Sequence, residues 1–232
     1  MVMASRASLW KVFVDADVLA APLTRSILLT AAEQRETPFR ACWSLAVEAE
    51  ADRALRGSQA KLAGVRELIG DDMLVPDATD EQMSRLADTD TGDRHVLAAA
   101  VAARARVVVS RNVHHFGRDD LTRLSVAAAH PDAFLASSLT GPVYRDVVRV
   151  MASRRGPGRG DTPEEVHRDL GALHPRLFAA MVGEFPGVDP KPSPDAPPSE
   201  VFRGNRCLVC GKTLSDPESL AVGVGPECGR KP

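Results

Sequence analysis

Short apolar runs alternate with longer amphipathic stretches over the first 140 or so residues of the chain. Continuous apolar runs predict strands at residues 12–14, 107–109 and 125–128. Apolar positions recurring at helical spacing predict helices at residues 23–34, 43–55 and 95–106. This alternation of strands and helices is typical of βαβ units, so we expect an α/β fold with a short parallel sheet.

The pattern then changes, and it divides the chain into four regions. After the α/β region at 9–139, residues 140–185 carry helical patterns and no strand signal. Residues 186–200 are rich in proline, which predicts an extended linker that isolates whatever follows it. Residues 201–232 form a small tail that contains cysteines.

Composition supports a folded protein of ordinary charge. Apolar residues make up 44% of the 232 residues and charged residues 26%, which excludes wholesale disorder. Aromatic residues are only 4%, which favours helices packed on a small sheet over a β-sandwich. The net charge is −2, so contact with a nucleic acid would need a local basic patch.

The chain has no pattern typical of membrane insertion or secretion. Its longest uncharged apolar stretch, residues 96–103, has eight residues, far below the roughly 20 that cross a bilayer. Arg6 and Lys11 interrupt the N-terminus before an apolar signal segment can develop. We therefore expect a cytoplasmic protein.

Acidic residues follow the predicted elements at several points. Asp15 and Asp17 come directly after the first strand, where α/β sheets place their ligands, although either residue could simply cap a helix. Other acids stand at the starts of two helices, at Glu48, Glu50, Asp88, Asp90 and Asp93. If these acids converge, their repulsion needs a hard cation such as Mg²⁺ or Mn²⁺. The alternative is a set of solvated acids on separate helices.

Four stretches resemble the PIN-domain ribonucleases, in particular the VapC-type toxins of bacterial toxin–antitoxin pairs. They are VFVDADVL (12–19), WSLAVEAEADRAL (43–55), DTGDRHVLAAAVAARARVVVSRNVHHF (90–116) and HPDAFL (130–135). The resemblance implies a three-layer α/β/α fold over 9–139, and it extends to the helical region, which is similar to the C-terminal extension of some of these toxins. It further implies a Mg²⁺- or Mn²⁺-dependent endoribonuclease with an RNA substrate, an antitoxin protein as partner and assembly as a homodimer.

The same resemblance assigns site residues. The catalytic and metal-binding acids fall on Asp15, Glu50 and Asp93, with Glu48 as the competing choice for the helix acid. Asn112 matches the fourth motif, but His115 stands where the family commonly has an aspartate. Because a neutral imidazole is a poor ligand for a hard cation, we expect a weaker metal site or a single ion. This departure also keeps open the alternative of a catalytically silent scaffold that binds RNA or a protein.

Basic side chains bracket the proposed site and could steer an RNA backbone. We interpret His95 as a residue that orients Asp93 or packs against the helix, and not as a ligand. The other candidates near the site are Arg104, Arg106, Arg111, His114 and Arg118, and a second candidate patch comprises Arg154, Arg155 and Arg159.

Three cysteines crowd the tail, at Cys207, Cys210 and Cys228. The pair separated by two residues, followed by glycine, is typical of half a zinc knuckle. The tail is similar to a small motif, CxxCG…LxDPxS…GxGPxCG, of assorted actinobacterial proteins. We expect a Zn²⁺ site with Asp216 as the fourth ligand or, failing that, a water molecule; three free thiols in a mobile tail are the alternative.

Overall fold

The structure, a computed structural model, describes residues 9–55, 73–154, 162–193 and 198–229. A six-stranded sheet runs through the described residues in the order β3-β2-β1-β4-β5-β6. The strands are β1 (Trp10–Val14), β2 (Phe39–Ser44), β3 (Leu74–Val75), β4 (Ala105–Val109), β5 (Ala127–Ala129) and β6 (Phe202–Arg203). The first five are parallel, and β6 pairs with β5 in the antiparallel sense.

Helices cover the sheet on both faces. Consecutive residues Val12, Phe13 and Val14 are all fully buried, and since neighbouring side chains in a strand point to opposite faces, both faces must be covered. This is the α/β/α arrangement expected of a PIN-like fold. The helices before the extension are α1 (Ala16–Leu19), α2 (Pro22–Glu33), α3 (Leu45–Ala54), α4 (Asp80–Ser84), α5 (Arg94–Ala102), α6 (Arg118–Leu124) and α7 (Pro131–Ser138).

The sheet has its topological switch point between β1 and β4. The chain builds β1, β2 and β3 toward one edge and then returns to lay β4 on the other side of β1. In register, Val14 lies beside Val109, and the Asp15 amide donates to the Val109 carbonyl at 3.0 Å. The residues after β1 and after β4 therefore emerge side by side, where sheets of this kind form a ligand cleft.

Three predicted elements differ in the structure. The helix predicted at residues 95–106 ends at Ala102, and β4 begins at Ala105. Residues 43–55 are not one helix: Trp43 and Ser44 complete β2, and α3 begins at Leu45 with Ser44 as its cap. The predicted strand at 125–128 lies instead at Ala127–Ala129, because Ser125 ends α6 with a positive φ of 58°.

The helical extension packs on the α/β region as the helices α8 (Gly141–Arg154), α9 (Pro163–Leu173) and α10 (Pro175–Met181). Asp132, 1% exposed on α7, accepts hydrogen bonds from the amides of Arg176 (3.1 Å) and Leu177 (2.9 Å) at the start of α10. A carboxylate of the α/β region thus caps a helix of the extension.

The tail is not isolated, contrary to the expectation from the proline-rich linker. Its strand β6 pairs with β5, so that Arg203 lies opposite Ala128 and Phe202 opposite Ala129. Part of the linker also packs on the extension, since Val188 is buried and the Lys191 amide donates to the Arg168 carbonyl at 3.3 Å. Without β6, the backbone groups at this edge of β5 would be unpaired, and β6 satisfies them. The composition of the linker gives no sign of this pairing. The boundaries 9–139, 140–185, 186–200 and 201–232 remain predictions.

The tail also contains a short helix, α11 (Pro217–Val222). Within the described ranges, no helix combines the length and apolar character that crossing a bilayer requires.

We expect Asp132→Ala to destabilise the protein by about 1–3 kcal/mol, because it leaves the buried Leu177 amide and the partly buried Arg176 amide without an acceptor. Urea denaturation measures the change in the free energy of unfolding. Asp146→Ala is the matched control, since Asp146 is exposed on α8 and forms a surface ion pair with Arg149 at 3.2 Å. Its effect should stay within about 0.5 kcal/mol. Equal effects of the two variants would contradict a bracing role for Asp132.

Candidate active site

The acids that follow β1 lie at the switch point of the sheet. Asp15 is 5% exposed, and its Oδ1 accepts the Ala16 amide at 2.6 Å, so it does cap α1. Asp17 accepts the Arg111 amide at 3.0 Å and the Asn112 side-chain amide at 3.2 Å. Residues that follow β4 therefore orient an acid that follows β1.

Burial and mutual repulsion change the acidity of this pair. Burial first, and then the neighbouring charges of Asp17 and Asp93, raise the pKa of Asp15 from 3.8 to about 8. Burial is also the main cause that raises the pKa of Asp17, with a further contribution from Asp93. The three carboxylates thus share one electrostatic environment, in which a bound cation would be stabilised.

Asp93 belongs to a second group of potential ligands. It precedes α5 without using its side chain as a cap, and His115 Nδ1 lies 3.0 Å from its Oδ2. His115 Nε2 lies 3.9 Å from Asp90 Oδ2. The ligand atoms of Asp90, Asp93 and His115 all lie within 4.8 Å of one another. The histidine that departs from the family pattern therefore contacts one of the predicted acids directly.

The two glutamates of α3 have different surroundings. Glu48 is buried, and its Oε2 accepts a hydrogen bond from the indole of Trp43 at 3.0 Å. Glu50 Oε2 lies 3.3 Å from Nε2 of His95, two residues beyond Asp93. The Glu48 side chain thus lies in the protein interior, bonded to Trp43. The Glu50 side chain contacts His95, which lies near Asp93 at the start of α5. The choice of Glu50 as metal ligand stays a prediction.

Two further acids lie at this edge, Asp17 and Asp90. The sequence shows both at element ends, but the resemblance does not assign either of them to the site. Their signal is spacing: Asp17 is two residues beyond Asp15, and Asp90 is linked to Asp93 by a turn in which the Asp93 amide donates to the Asp90 carbonyl at 2.9 Å. The side-chain amide of Asn112, predicted as a catalytic residue, donates to Asp17, and the Asn112 carbonyl accepts the His115 amide at 3.0 Å.

A cleft of about 950 Å³ opens beside Asp17, between the sheet edge and the extension. Burial, then the charges of Arg111 and Arg176, lower the pKa of His130 to about 4, so its ring is neutral at pH 7. His130 Nδ1 accepts the Asp132 amide at 3.3 Å, which leaves the proton on Nε2. The start of α2 has no side-chain cap. The residues that line the cleft include Asp17, Ala21, Pro22, Thr24, Arg111, Asn112, His130 and His174.

The candidate basic residues are distributed between the cleft and other contacts. Arg111 lines the cleft. Arg118 pairs with Glu200, the last residue of the linker, at 2.5 Å, and the Arg106 guanidinium stacks 4.6 Å from the centre of the Trp10 ring. Arg154 pairs with Glu33 at 2.7 Å, whereas Arg155 and Arg159 lie outside the described residues.

The cysteines of the tail come together as predicted from their spacing. The sulfur atoms of Cys207, Cys210 and Cys228 lie within 4.8 Å of one another. Burial acts to raise the pKa of Cys207, but hydrogen bonds from the amides of Gly225, Cys210 and Val209 outweigh it and the pKa is lowered. Asp216 does not join this group. Its carboxylate caps α11 by accepting the Ser219 amide at 2.8 Å, so the proposed fourth ligand has a structural task instead.

The chain is similar to a Mycobacterium tuberculosis protein named "Putative ribonuclease VapC50", with 38% identity over 101 residues. The match covers 42% of this chain and 59% of that relative, so the chain spans about three-fifths of the relative's length. Fold, edge acids and this partial identity support a relationship to the VapC-type PIN proteins. No solved structure matches the chain.

A second comparison concerns the tail. A family model described as a family of unknown function (DUF6011) matches residues 198–232. The match includes all three clustered cysteines and the strand β6. It assigns the tail to a recurring sequence unit without giving that unit a role.

We expect the metal-free protein to lose stability as the pH rises from about 4 to about 8. The raised pKa of Asp15 means that the folded chain binds this proton more tightly than the unfolded chain, so its contribution is fully present below 3.8 and is lost through about 8. Asp15→Asn should flatten this dependence, since the carboxamide can still cap α1. Thermal unfolding in the presence of a chelator measures the effect.

Asp146→Asn serves as control for this pH series, because Asp146 is exposed and forms its ion pair with Arg149 of the same helix. It should follow the pH dependence of the unaltered chain. A profile for Asp15→Asn as steep as that of the control would show that Asp15 is not the titrating group.

Proposed function

We propose that the protein is a metal-dependent endoribonuclease. The observation that carries the proposal is the group of Asp15, Asp17 and Asp93 at the switch point of the sheet, where burial and the charges of Asp17 and Asp93 raise the pKa of Asp15 to about 8. Three carboxylates held this way destabilise the chain unless a cation or protons compensate them. Carboxylate oxygens are the ligands that Mg²⁺ and Mn²⁺ prefer, so the donor set fits such an ion.

Asp15, Asp93 and Glu50 would hold the ion, with His115 and Asp90 beside Asp93. When bound, Mg²⁺ or Mn²⁺ supplies a more acidic water and neutralises charge on the phosphodiester. His115 fixes the orientation of the Asp93 carboxylate through their 3.0 Å contact. Ser110, Arg111 and Asn112 do the same for Asp17.

The cleft would accommodate the RNA backbone. Arg111 contributes positive charge. The N–H at His130 Nε2 could donate a hydrogen bond to a phosphate oxygen. The first amides of α2, which lack a side-chain cap, attract negative charge at the same wall. Single-stranded RNA suits a cleft of this size better than a duplex does.

The similarity to a VapC-named relative supports a more specific proposal. The protein would act as the toxin of a type II toxin–antitoxin pair in the cytoplasm, with an antitoxin protein as partner and a homodimer as its assembly. Each of these statements rests on the resemblance and on that partial identity, and none rests on the geometry of the site.

One observation favours a second candidate, a catalytically silent scaffold that binds RNA. His115 stands in place of the family's acid, and its ring contacts the Asp93 carboxylate. The ring of His95 contacts the Glu50 carboxylate in the same way. Both histidines thus interact with acids that the nuclease needs free for metal. RNA binding without cleavage in any divalent metal would support this candidate.

The purified protein should cleave single-stranded RNA with Mg²⁺ or Mn²⁺ and stop when a chelator is added. Asp15→Asn and Asp93→Asn should each lower the cleavage rate by about 100-fold or more, since each removes a metal-binding charge. Gel electrophoresis of an end-labelled RNA measures the rate. Asp146→Asn is the control and should retain the full rate.

Two outcomes would contradict the nuclease proposal. One is cleavage that persists in the chelator or in both aspartate variants, which would identify a contaminant. The other is unchanged RNA with every divalent metal tested, although circular dichroism shows the protein folded.

His115→Asp should reduce the concentration of Mn²⁺ that gives half-maximal cleavage, because it replaces a neutral ring by the carboxylate that hard cations prefer. A metal titration of the cleavage rate measures this concentration. His114→Asp, which changes the neighbouring position in the same way, is the control. An increase in the required metal for His115→Asp would show that the Asp93–His115 contact itself supports the site.

A further inference from the structure

The three-cysteine group of the tail is built by two separate turns. In the first, the Gly211 amide donates to the Cys207 carbonyl at 2.8 Å, and Gly211 has a positive φ of 74°. In the second, the Cys228 amide donates to the Gly225 carbonyl at 2.9 Å. Each turn directs sulfur toward the same point, so the convergence of Cys207, Cys210 and Cys228 within 4.8 Å is a property of the local backbone.

The backbone around Cys207 places several amides against its sulfur. Its residue is 1% exposed, yet its sulfur accepts hydrogen bonds from the amides of Val209, Cys210 and Gly225. A single disulfide would use two of the three sulfurs and leave the third without a partner. A soft divalent cation satisfies all three together, because thiolates prefer Zn²⁺ over the hard cations of the acidic edge.

The tail has few apolar side chains of its own. Its buried apolar residues are Val201, Phe202, Cys207, Leu208 and Leu214, and all but Val201 belong to the main core. So few apolar side chains would not stabilise about 30 residues without that packing, and small units of this kind usually need a metal or disulfides. The metal would therefore contribute to folding.

The tail contacts the loop that carries Asn112 and His115. Arg203 of β6 donates to the carbonyls of His114 (2.8 Å) and Phe116 (3.1 Å). Glu200 pairs with both Arg203 and Arg118, the first residue of α6. Backbone and ionic contacts thus attach the tail on both sides of His115.

A further contact joins the cysteine turn to the sheet. The Arg106 side chain of β4 lies between the Trp10 ring and Gly211, where a Cβ would come within 3.0 Å of the guanidinium carbon. The first cysteine turn therefore packs directly on a side chain of the central sheet. A residue larger than glycine at 211 would separate them.

We propose that Zn²⁺ binds Cys207, Cys210 and Cys228, with water as the fourth ligand, and that this site fastens the tail to β5 and to the 112–118 loop. Within the described ranges, no carboxylate or imidazole joins the three sulfurs in a common group, which leaves the fourth position to solvent. The zinc site is separate from the acidic edge, and its occupancy does not depend on nuclease activity.

Elemental analysis of the purified full chain tests the metal. We expect about one zinc ion per chain. Cys207→Ser and Cys228→Ser should each lose most of it, whereas Cys42→Ala, Asp216→Asn and Asp15→Asn should retain it. Zinc that persists when all three tail cysteines are replaced would overturn the proposal, as would a chain purified with zinc available that contains none.

Cobalt substitution keeps the test valid if the serine variants do not fold. Co²⁺ added to the metal-free unaltered chain should give a thiolate-to-cobalt charge-transfer band and the visible bands of tetrahedral coordination, and Zn²⁺ should displace both. Cobalt spectra without a thiolate band would overturn the assignment of the cysteines. The spectra require no RNA and no cleavage.

Amide hydrogen exchange tests the attachment. Removal of zinc should increase exchange at Phe202 and Arg203, in β5 and at Phe116, and leave α8 unchanged. Arg203→Ala should increase exchange at Phe116 while zinc is retained, and Lys191→Ala, which removes an ion pair of the linker with Asp169, should not. Unchanged exchange in β5 after zinc removal would overturn the fastening role.

Discussion

Holding like charges together at the end of β1 is the constraint on which the rest of the site depends. Asp15 is buried and Asp17 is half-buried at the switch point, so desolvation and repulsion act on both. The structure meets this with donors: Ala16 for Asp15, and Ser110, Arg111 and Asn112 for Asp17. The donors to Asp17 come from the segment after β4, which explains why β1 and β4 must be in register.

The sequence reveals those parts of the fold whose signals are local. Continuous apolar residues identify β1 and β4 because both strands are buried on both faces. The strand β2 escapes, since Arg40 interrupts its apolar run and Trp43 also fits the helical pattern of α3. Asp15 and Asp93 can be predicted from their positions at element ends, whereas the contact of His115 with Asp93 joins positions 22 residues apart and has no local signal.

The tail illustrates the same limit at longer range. Composition identifies a proline-rich linker, and cysteine spacing predicts a turn that could hold a metal, because both are properties of consecutive residues. The pairing of β6 with β5 is not visible in this way: two residues are too short for a periodic pattern, and their partners are more than 70 positions earlier. Asp216 is a different case, because its cap to Ser219 is local, and this role competes with the role of ligand.

The position of β6 in the chain has a consequence for the order of events during synthesis. The strands that create the acidic edge are all complete by Ala129, whereas Phe202 and Arg203 follow only after the three helices of the extension. The nascent chain can therefore assemble the acidic edge while β5 is still an open edge, available for pairing with other chains. Folding during translation can thus proceed in two stages. The first forms the parallel sheet, and the second adds β6 and covers the edge of β5 that could otherwise aggregate.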